Sequence, residues 1–176
     1  MNLRKVNAGL SLLCTFLLMD HAICHGAWML FEISLHKPVK SFSWILFGLM
    51  LVHAIVSIVL AVLGHKGTAK GKYNSYPNMN RATIIQRMSG MLLILFTVLH
   101  IAGTVGILQP PKLVHAILPP VFFTIALMHT AISTSKAFIT LGIGNAKLIK
   151  RVDVAMKVLC AVTLIADVVG FYRYAL

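Results

Sequence analysis

Residues 42–64, FSWILFGLMLVHAIVSIVLAVLG, contain no Asp, Glu, Lys or Arg. At about 1.5 Å per residue, a helix of this length extends for about 34 Å, which is enough to cross the roughly 30 Å hydrocarbon core of a bilayer. The stretch therefore predicts a membrane-spanning helix. A single ionisable side chain, His53, lies near its centre.

The rest of the chain repeats this apolar pattern. Four more segments of spanning length occur at 7–33, 83–108, 114–142 and 152–174. The composition agrees, with 59% hydrophobic residues, 11% charged residues and a mean hydropathy of +0.88. Because a helix satisfies its own backbone in lipid, we expect an all-α integral membrane protein: one membrane domain over residues 1–176, built as a five-transmembrane-helix bundle.

The charges predict the orientation of this bundle. Sixteen Lys and Arg stand against four Asp and Glu, and the cations gather before the first span and around the second and fourth connections. The positive-inside rule then places the N-terminus in the cytoplasm and the C-terminus outside the cell inner membrane. Because these cations flank apolar segments instead of forming a stripe, we expect lipid contacts and no nucleic acid partner.

Histidines recur inside the first four spans. His21, His53, His100 and His129 lie one in each of four consecutive helices. Ionisable residues within a membrane are costly and usually functional. Paired axial ligation of haem iron, with one neutral imidazole from each of two helices, fits this pattern. Zinc binding, a proton relay and hydrogen-bonded packing histidines are alternatives. His25, which shares a helix face with His21, has no assigned role.

Depth along the helices predicts how the histidines pair. His21 and His100 lie roughly 21–26 Å from the cytoplasmic face, whereas His53 and His129 lie about 10–18 Å from it. Two levels follow, an outer pair His21/His100 and an inner pair His53/His129. We therefore expect two haems b stacked across the membrane, each held by one pair.

Three features of the chain carry a resemblance to a known family: QRMSG at 86–90 ahead of His100, His53-Ala54 in the second span, and Lys136 seven residues after His129. With them, the chain resembles the diheme cytochrome b membrane anchor of succinate dehydrogenases and fumarate reductases, the complex II family. The resemblance covers essentially the whole chain in span number, topology and histidine placement, and its most specific element is the spacing from QRMSG to His100.

The resemblance implies further roles. Haem propionates would be bound by Asn7, Gln86, Arg87, Ser89 and Lys136. The subunit would pass electrons between a flavoprotein and iron–sulphur subunit pair and a membrane quinone, either menaquinone or ubiquinone. It would be a subunit of an enzyme complex and would contribute no catalytic residues itself. Some members carry a glutamate two residues before the fourth-helix histidine; Leu127 stands there, so proton transfer by that route is not expected.

Two acids are candidates for the quinone site. A quinone exchanges protons when it is reduced or oxidised, and an acid near a pocket mouth suits that task. Glu32, near the outer end of the first span, and Asp20, beside His21, are the expected residues, although either could instead be an interfacial or packing polar group. Asp167 in the fifth span has no assigned role.

The second connection, HKGTAKGKYNSYPNMNRAT at 65–83, is long and strongly basic. It is expected either to dock the iron–sulphur subunit or simply to set the topology. Two rival functions remain open. One is a diheme quinone cytochrome b of another oxidoreductase, of the hydrogenase or formate dehydrogenase type. The other is a haem-free transporter with histidines along its pathway, although neither broken helices nor inverted repeats are evident.

Overall fold

The computed structural model describes residues 2–33, 40–68, 81–109 and 111–175, and within these ranges the protein is an all-α bundle of five helices. Each helix is long and apolar enough to cross a membrane, which confirms the predicted fold class and a multi-pass membrane protein. The helices are α1 (Leu3–Phe31), α2 (Lys40–Thr68), α3 (Arg81–Thr104), α4 (Lys112–Leu141) and α5 (Ala146–Ala175).

The centre of the bundle is formed by α1, α4 and α5, which all pack against one another. Outside this trio, α2 packs against α1 and α3 packs against α4. Among the described residues, α2 and α3 share no extensive interface. A small core of Met19, Leu127, Ala131 and Cys160 lies where α1, α4 and α5 meet. Of these two peripheral helices, α2 carries His53 of the inner pair and α3 carries His100 of the outer pair.

The helices alternate in direction, as contacts near their ends show. Arg173 Nη1 donates to the backbone oxygen of Leu30 at 2.8 Å, so α1 and α5 end on the same side. Ser135 Oγ donates to Asp153 Oδ1 at 3.1 Å, so α4 ends where α5 begins. We call the side at which α1 begins the N side and the opposite side the C side.

Several helix boundaries differ from the predicted spans. The fifth helix begins at Ala146 instead of 152, because Asn145 Oδ1 accepts a hydrogen bond from the N–H of Leu148 at 2.9 Å and so caps the earlier start. The third helix ends at Thr104 instead of 108. Beyond it the chain turns at Gly106, whose φ of +78° suits a residue without a side chain.

The first helix begins at Leu3, earlier than the predicted start at 7, because Asn2 Oδ1 accepts from the N–H of Arg4 at 3.1 Å. It ends at Phe31, and Glu32 follows with a left-handed φ of 57°. The predicted docking segment at 65–83 lies mostly outside the described residues, since 69–80 are not described. His36 is also outside them.

Candidate cofactor sites

The four predicted ligand histidines lie near one another in two pairs. His53 of α2 and His129 of α4 are close enough to interact electrostatically. His100 of α3 likewise interacts with His21 of α1. All four are partly buried within the bundle. The structure thus brings together the inner and the outer pair, while ligation of iron by either pair stays a prediction.

The imidazole of His129 is held by α3. Its Nδ1 atom lies 3.1 Å from the backbone oxygen of Gln86 and 3.0 Å from Ser89 Oγ. Ser89 is only 2% exposed, and its hydroxyl donates to the same backbone oxygen of Gln86 at 3.1 Å. Because a carbonyl oxygen only accepts hydrogen bonds, its bond with Nδ1 requires the proton on Nδ1. The lone pair of His129 is therefore on Nε2, which is the nitrogen free to ligate a metal.

Gly90 lets α3 approach this ring. A Cβ atom on Gly90 would lie 3.1 Å from Cε1 of His129, closer than the roughly 3.5–4.0 Å of ordinary carbon contacts. Gln86 and Ser89 of the QRMSG segment thus contact the His129 ring. Gly90 of the same segment leaves the space that the ring fills. The motif acts on the inner level, whereas His100, which follows it in sequence, lies at the outer level.

The other inner histidine has a different environment. His53 Nδ1 is buried without a hydrogen-bond partner among the described residues, and the ring lies beside the backbone of Asn7. Ser57, one turn after His53, donates to Asn7 Oδ1 at 3.2 Å. Asn7, a predicted propionate residue, is therefore at the inner level on α1. Sequence reasoning missed Ser57, although its place one turn from a histidine in an apolar helix was a signal.

Two cationic side chains, Lys136 and Arg87, lie at the N side of the inner level. Lys136 Nζ donates to Gln86 Oε1 at 2.8 Å and to Thr83 Oγ1 at 3.0 Å, joining α4 to the first turns of α3. Exposed Arg87 lies close enough to interact electrostatically with Lys136. Two cations beside the N-terminal part of a helix form a favourable place for carboxylates. Thr83 was not predicted as a site residue.

The outer level contains three imidazoles. The rings of His21 and His25 are stacked, with centroids 6.1 Å apart and planes at 11°. His25 also interacts electrostatically with His100. The His100 ring stacks on Phe122 of α4 at 5.2 Å. Sequence reasoning placed His25 on the same face as His21 and gave it no function; the structure makes it a neighbour of both outer histidines.

The two predicted quinone residues are separated. Asp20 is half-buried and accepts from Cys24 Sγ at 3.9 Å. Glu32 is exposed at the end of α1, and its N–H donates to the backbone oxygen of Trp28 at 2.9 Å. Twelve residues of helix separate the two acids by about 18 Å. They therefore cannot act on one quinone headgroup together.

Asp167 is the most deeply buried acid of the described residues. It is 1% exposed, and its Oδ1 atom has no hydrogen-bond partner among them. The carboxyl group fits against Gly26, where a Cβ atom would approach Oδ1 to 2.7 Å. It therefore belongs to the contact between α1 and α5, apart from the predicted ligand pairs.

The predicted ligands of the two levels can be compared with what different metal groups require. No cluster of three or more His, Cys, Asp or Glu side chains that could hold a bare metal ion occurs in the described part of the chain. A structural zinc ion takes four such ligands, whereas haem iron takes two axial ligands because its porphyrin supplies the other four. The fixed Nε2 lone pair of His129 and the unpartnered His53 Nδ1 fit the second arrangement.

Comparisons with protein-family models, with curated proteins and with solved structures give no match for this chain.

Proposed function

We propose that the chain is the diheme cytochrome b membrane anchor of a succinate:quinone or quinol:fumarate oxidoreductase. The observation that carries this proposal is the hydrogen bond of 3.1 Å between His129 Nδ1 and the backbone oxygen of Gln86. It leaves the Nε2 lone pair of a half-buried intramembrane imidazole available to a metal. Histidine with its other nitrogen bonded to a carbonyl is a typical haem or metal ligand.

The four paired histidines would hold two haems b, His53 and His129 the inner one and His21 and His100 the outer one. Bound haem supplies one-electron transfer between Fe(II) and Fe(III). The chain's own residues orient the ligands: Ser89 and Gln86 hold the His129 ring, and Gly90 leaves it room. The neutral imidazoles need no counter-charge inside the membrane.

Propionate groups would be bound at the N side of the inner level. Lys136 and Arg87 supply positive charge there, and Gln86, Ser89 and Asn7 supply polar atoms. Lys136 is already held by two hydrogen bonds to α3, so its charge is positioned before an anion arrives. Such pre-positioning lowers the cost of ordering the side chain on binding.

The location of the partners follows from the predicted orientation of the bundle. The N-terminus would lie in the cytoplasm and the C-terminus outside the cell inner membrane, as the basic residues beside α1 and around the connections predict. The inner level then lies nearer the flavoprotein and iron–sulphur subunits, and the outer level nearer a quinone, menaquinone or ubiquinone, in the lipid. The subunit would carry electrons without dicarboxylate chemistry of its own.

The decisive experiment measures haem in the protein purified from membranes with its partner subunits. We expect two haems b per chain by pyridine haemochrome, and one after His129→Ala. The matched control is His115→Ala, because this exposed histidine near the start of α4 stacks on Phe171 and belongs to neither pair. Helical circular dichroism checks that each variant folds.

The outcomes separate the rival functions. Two haems together with succinate:quinone reductase activity of the copurified complex would support the proposal. Two haems with hydrogenase or formate dehydrogenase subunits would retain the cytochrome and replace the partner enzyme. A folded wild-type chain without haem would contradict the proposal and favour the transporter.

A further inference from the structure

The fifth helix has a buried face and an exposed face. The buried face packs against α1 and α4 and carries residues at spacings of three, four and three: Cys160, Thr163, Asp167 and Gly170. The opposite face carries branched aliphatic side chains that are 52–64% exposed: Val154, Val158, Val162, Ile165 and Val169. Their spacings of four, four, three and four place them on one side of the helix. We call these five residues the lipid-facing stripe of α5.

Two basic residues continue this stripe at its N-side end. Arg151 and Lys147 precede Val154 by three and seven residues, so both lie on the same helix face as the stripe. Both are exposed, and they are four residues apart, a spacing that lets two side chains reach the same group. Exposed Lys150 adds a third positive charge beside them. Positive charge is therefore concentrated where the lipid-facing stripe begins.

The length of α5 places these cations at the depth of the lipid headgroups. Arg173 is in the last turn of the helix, and the helix from Arg151 to Arg173 measures about 33 Å. This distance matches the roughly 30 Å hydrocarbon core of a bilayer. Lys147 lies about 6 Å further out on the N side. Both residues belong to regular helix, because α5 begins at Ala146.

The acidic side chains of the protein do not neutralise these cations. The sequence contains four acids. Asp153 is the one at the N-side end of α5, and Lys157 Nζ already binds its Oδ2 atom at 2.6 Å. The other three lie nearer the C side: Asp20, Glu32 and Asp167. A negative group that pairs with Lys147 and Arg151 must therefore come from outside the chain.

We propose that the N-side end of α5 binds an anionic phospholipid, with its phosphate between Lys147 and Arg151 and one acyl chain along Val154 and Val158. A guanidinium group can bind two phosphate oxygens at once, and basic residues beside a membrane-spanning helix attract anionic lipids. A zwitterionic headgroup fits less well, because its own ammonium group competes with the two cations for the phosphate.

The direction of the two side chains favours lipid over a soluble protein. Because Lys147 and Arg151 continue the lipid-facing stripe, the headgroups of the surrounding bilayer reach them directly. A soluble partner would have to enter the headgroup region beside the bundle to do the same. The inference is independent of the proposed function, since it uses none of the paired histidines.

The test places a fluorophore beside the expected acyl chain. Val158→Trp changes an exposed residue of the stripe that lies about 10 Å from Arg151 toward the membrane centre. The full chain is reconstituted in phosphatidylcholine vesicles that contain brominated phosphatidylglycerol or brominated phosphatidylcholine, because bromine quenches a neighbouring tryptophan. Emission of the chain without this change, from Trp28 and Trp44, is subtracted. We expect phosphatidylglycerol to quench the new tryptophan more strongly at equal mole fraction.

Removing either cation should reduce this lipid preference. On the Val158→Trp background, Arg151→Gln should lower the binding of phosphatidylglycerol relative to phosphatidylcholine about fivefold, as expected for one cation at a membrane surface. Lys147→Gln should do the same. The matched control is Arg4→Gln, which removes one exposed cation at the N-side start of α1. Arg4 and Lys5 are adjacent and point about 100° apart, so they do not hold one phosphate together, and the control should keep the preference.

Three results would overturn the inference. One is equal quenching by the two lipids in Val158→Trp, a measurement that leaves both cations in place. Another is an equal loss of preference in Arg4→Gln and Arg151→Gln, because the preference would then reflect only the overall charge of the protein. The third is an unchanged preference in Arg151→Gln together with loss of a copurifying soluble subunit, which would assign the cations to a protein partner. Haem content bears on the proposed function alone.

Discussion

The hydroxyl oxygen of Ser89 lies 3.0 Å from Nδ1 of His129, and this contact joins α3 to α4 inside the bundle. The backbone oxygen of Gln86 approaches the same nitrogen to 3.1 Å. Two groups of one helix thus set the rotation of a ring carried by another. The orientation of the imidazole depends on how α3 and α4 pack, and each of the contacts can be removed separately.

Replacing Ser89 with Ala removes one of the two groups that hold His129. An interhelical hydrogen bond in a membrane contributes only about 0.6 kcal/mol, so the bundle should still fold. Haem affinity at the inner level should fall at least about tenfold, because partners that orient a metal ligand contribute roughly 10- to 100-fold in affinity. Haem per chain after incubation with a haem-binding competitor measures this loss.

The matched control is Ser135→Ala. Ser135 is also a buried serine of the bundle, and it bonds Asp153 at 3.1 Å instead of a histidine. This variant should retain both haems. Equal haem loss from the two variants would show that Ser89 has no special link to the ligand.

A side chain at Gly90 should displace the His129 ring. In Gly90→Val the Cβ would already lie 3.1 Å from Cε1 of His129, and two methyl groups would crowd the ring further. We expect one haem per chain instead of two, measured by pyridine haemochrome. Gly9→Val is the control, because nothing lies within 4 Å of a Cβ on Gly9. Retention of both haems by Gly90→Val would exclude the inner pair as ligands.

Lys136→Met should lower the midpoint potential of the inner haem. The change removes a positive charge and the two hydrogen bonds to Thr83 and Gln86 while keeping a long apolar side chain. A nearby cation favours the reduced, less positive form of iron, so its loss favours the oxidised form. A redox titration followed by visible absorption measures the shift. Lys112→Met, at the C-side start of α4, should leave that potential unchanged; an equal shift in both variants would contradict the assignment.

Gly26→Ala should destabilise the contact between α1 and α5. The new Cβ would lie 2.7 Å from Asp167 Oδ1, and such overpacking costs about 1–3 kcal/mol. In a chain that also carries Asp167→Ala, the carboxyl group is gone and most of this cost should disappear. Unfolding by sodium dodecyl sulphate in mixed micelles gives the four stabilities of the cycle. An identical cost of Gly26→Ala in both backgrounds would mean that the two residues do not meet.

Much of the fold was predictable because lipid imposes a local requirement. A run such as 42–64, without any charge, must cross the membrane as a helix. Helix ends were harder to predict, because Asn145 moves the start of α5 through a single capping bond that the hydropathy pattern does not contain.

The candidate site was predictable only in part. Depth along each span identified which histidines could meet, since rise per residue is the same in every helix. The groups that position the other predicted site residues were not evident. Ser57 donates a hydrogen bond to Asn7, and Thr83 accepts one from Lys136, each across two helices. The role of Gly90 in leaving room for His129 also appears only when α3 and α4 are packed.

By itself, the amino-acid sequence determined five helices long and apolar enough to span a membrane, and it predicted two depths for the histidines, because each of these depends on residues close together in the chain. Only the tertiary structure decided which face of each helix is buried. Helices such as α2 are apolar on every side, so their pattern leaves the rotation about the helix axis undetermined. The packing of α1, α4 and α5 fixed the rotation of these three helices, and thereby placed His25 beside Phe123 and Asp167 against Gly26.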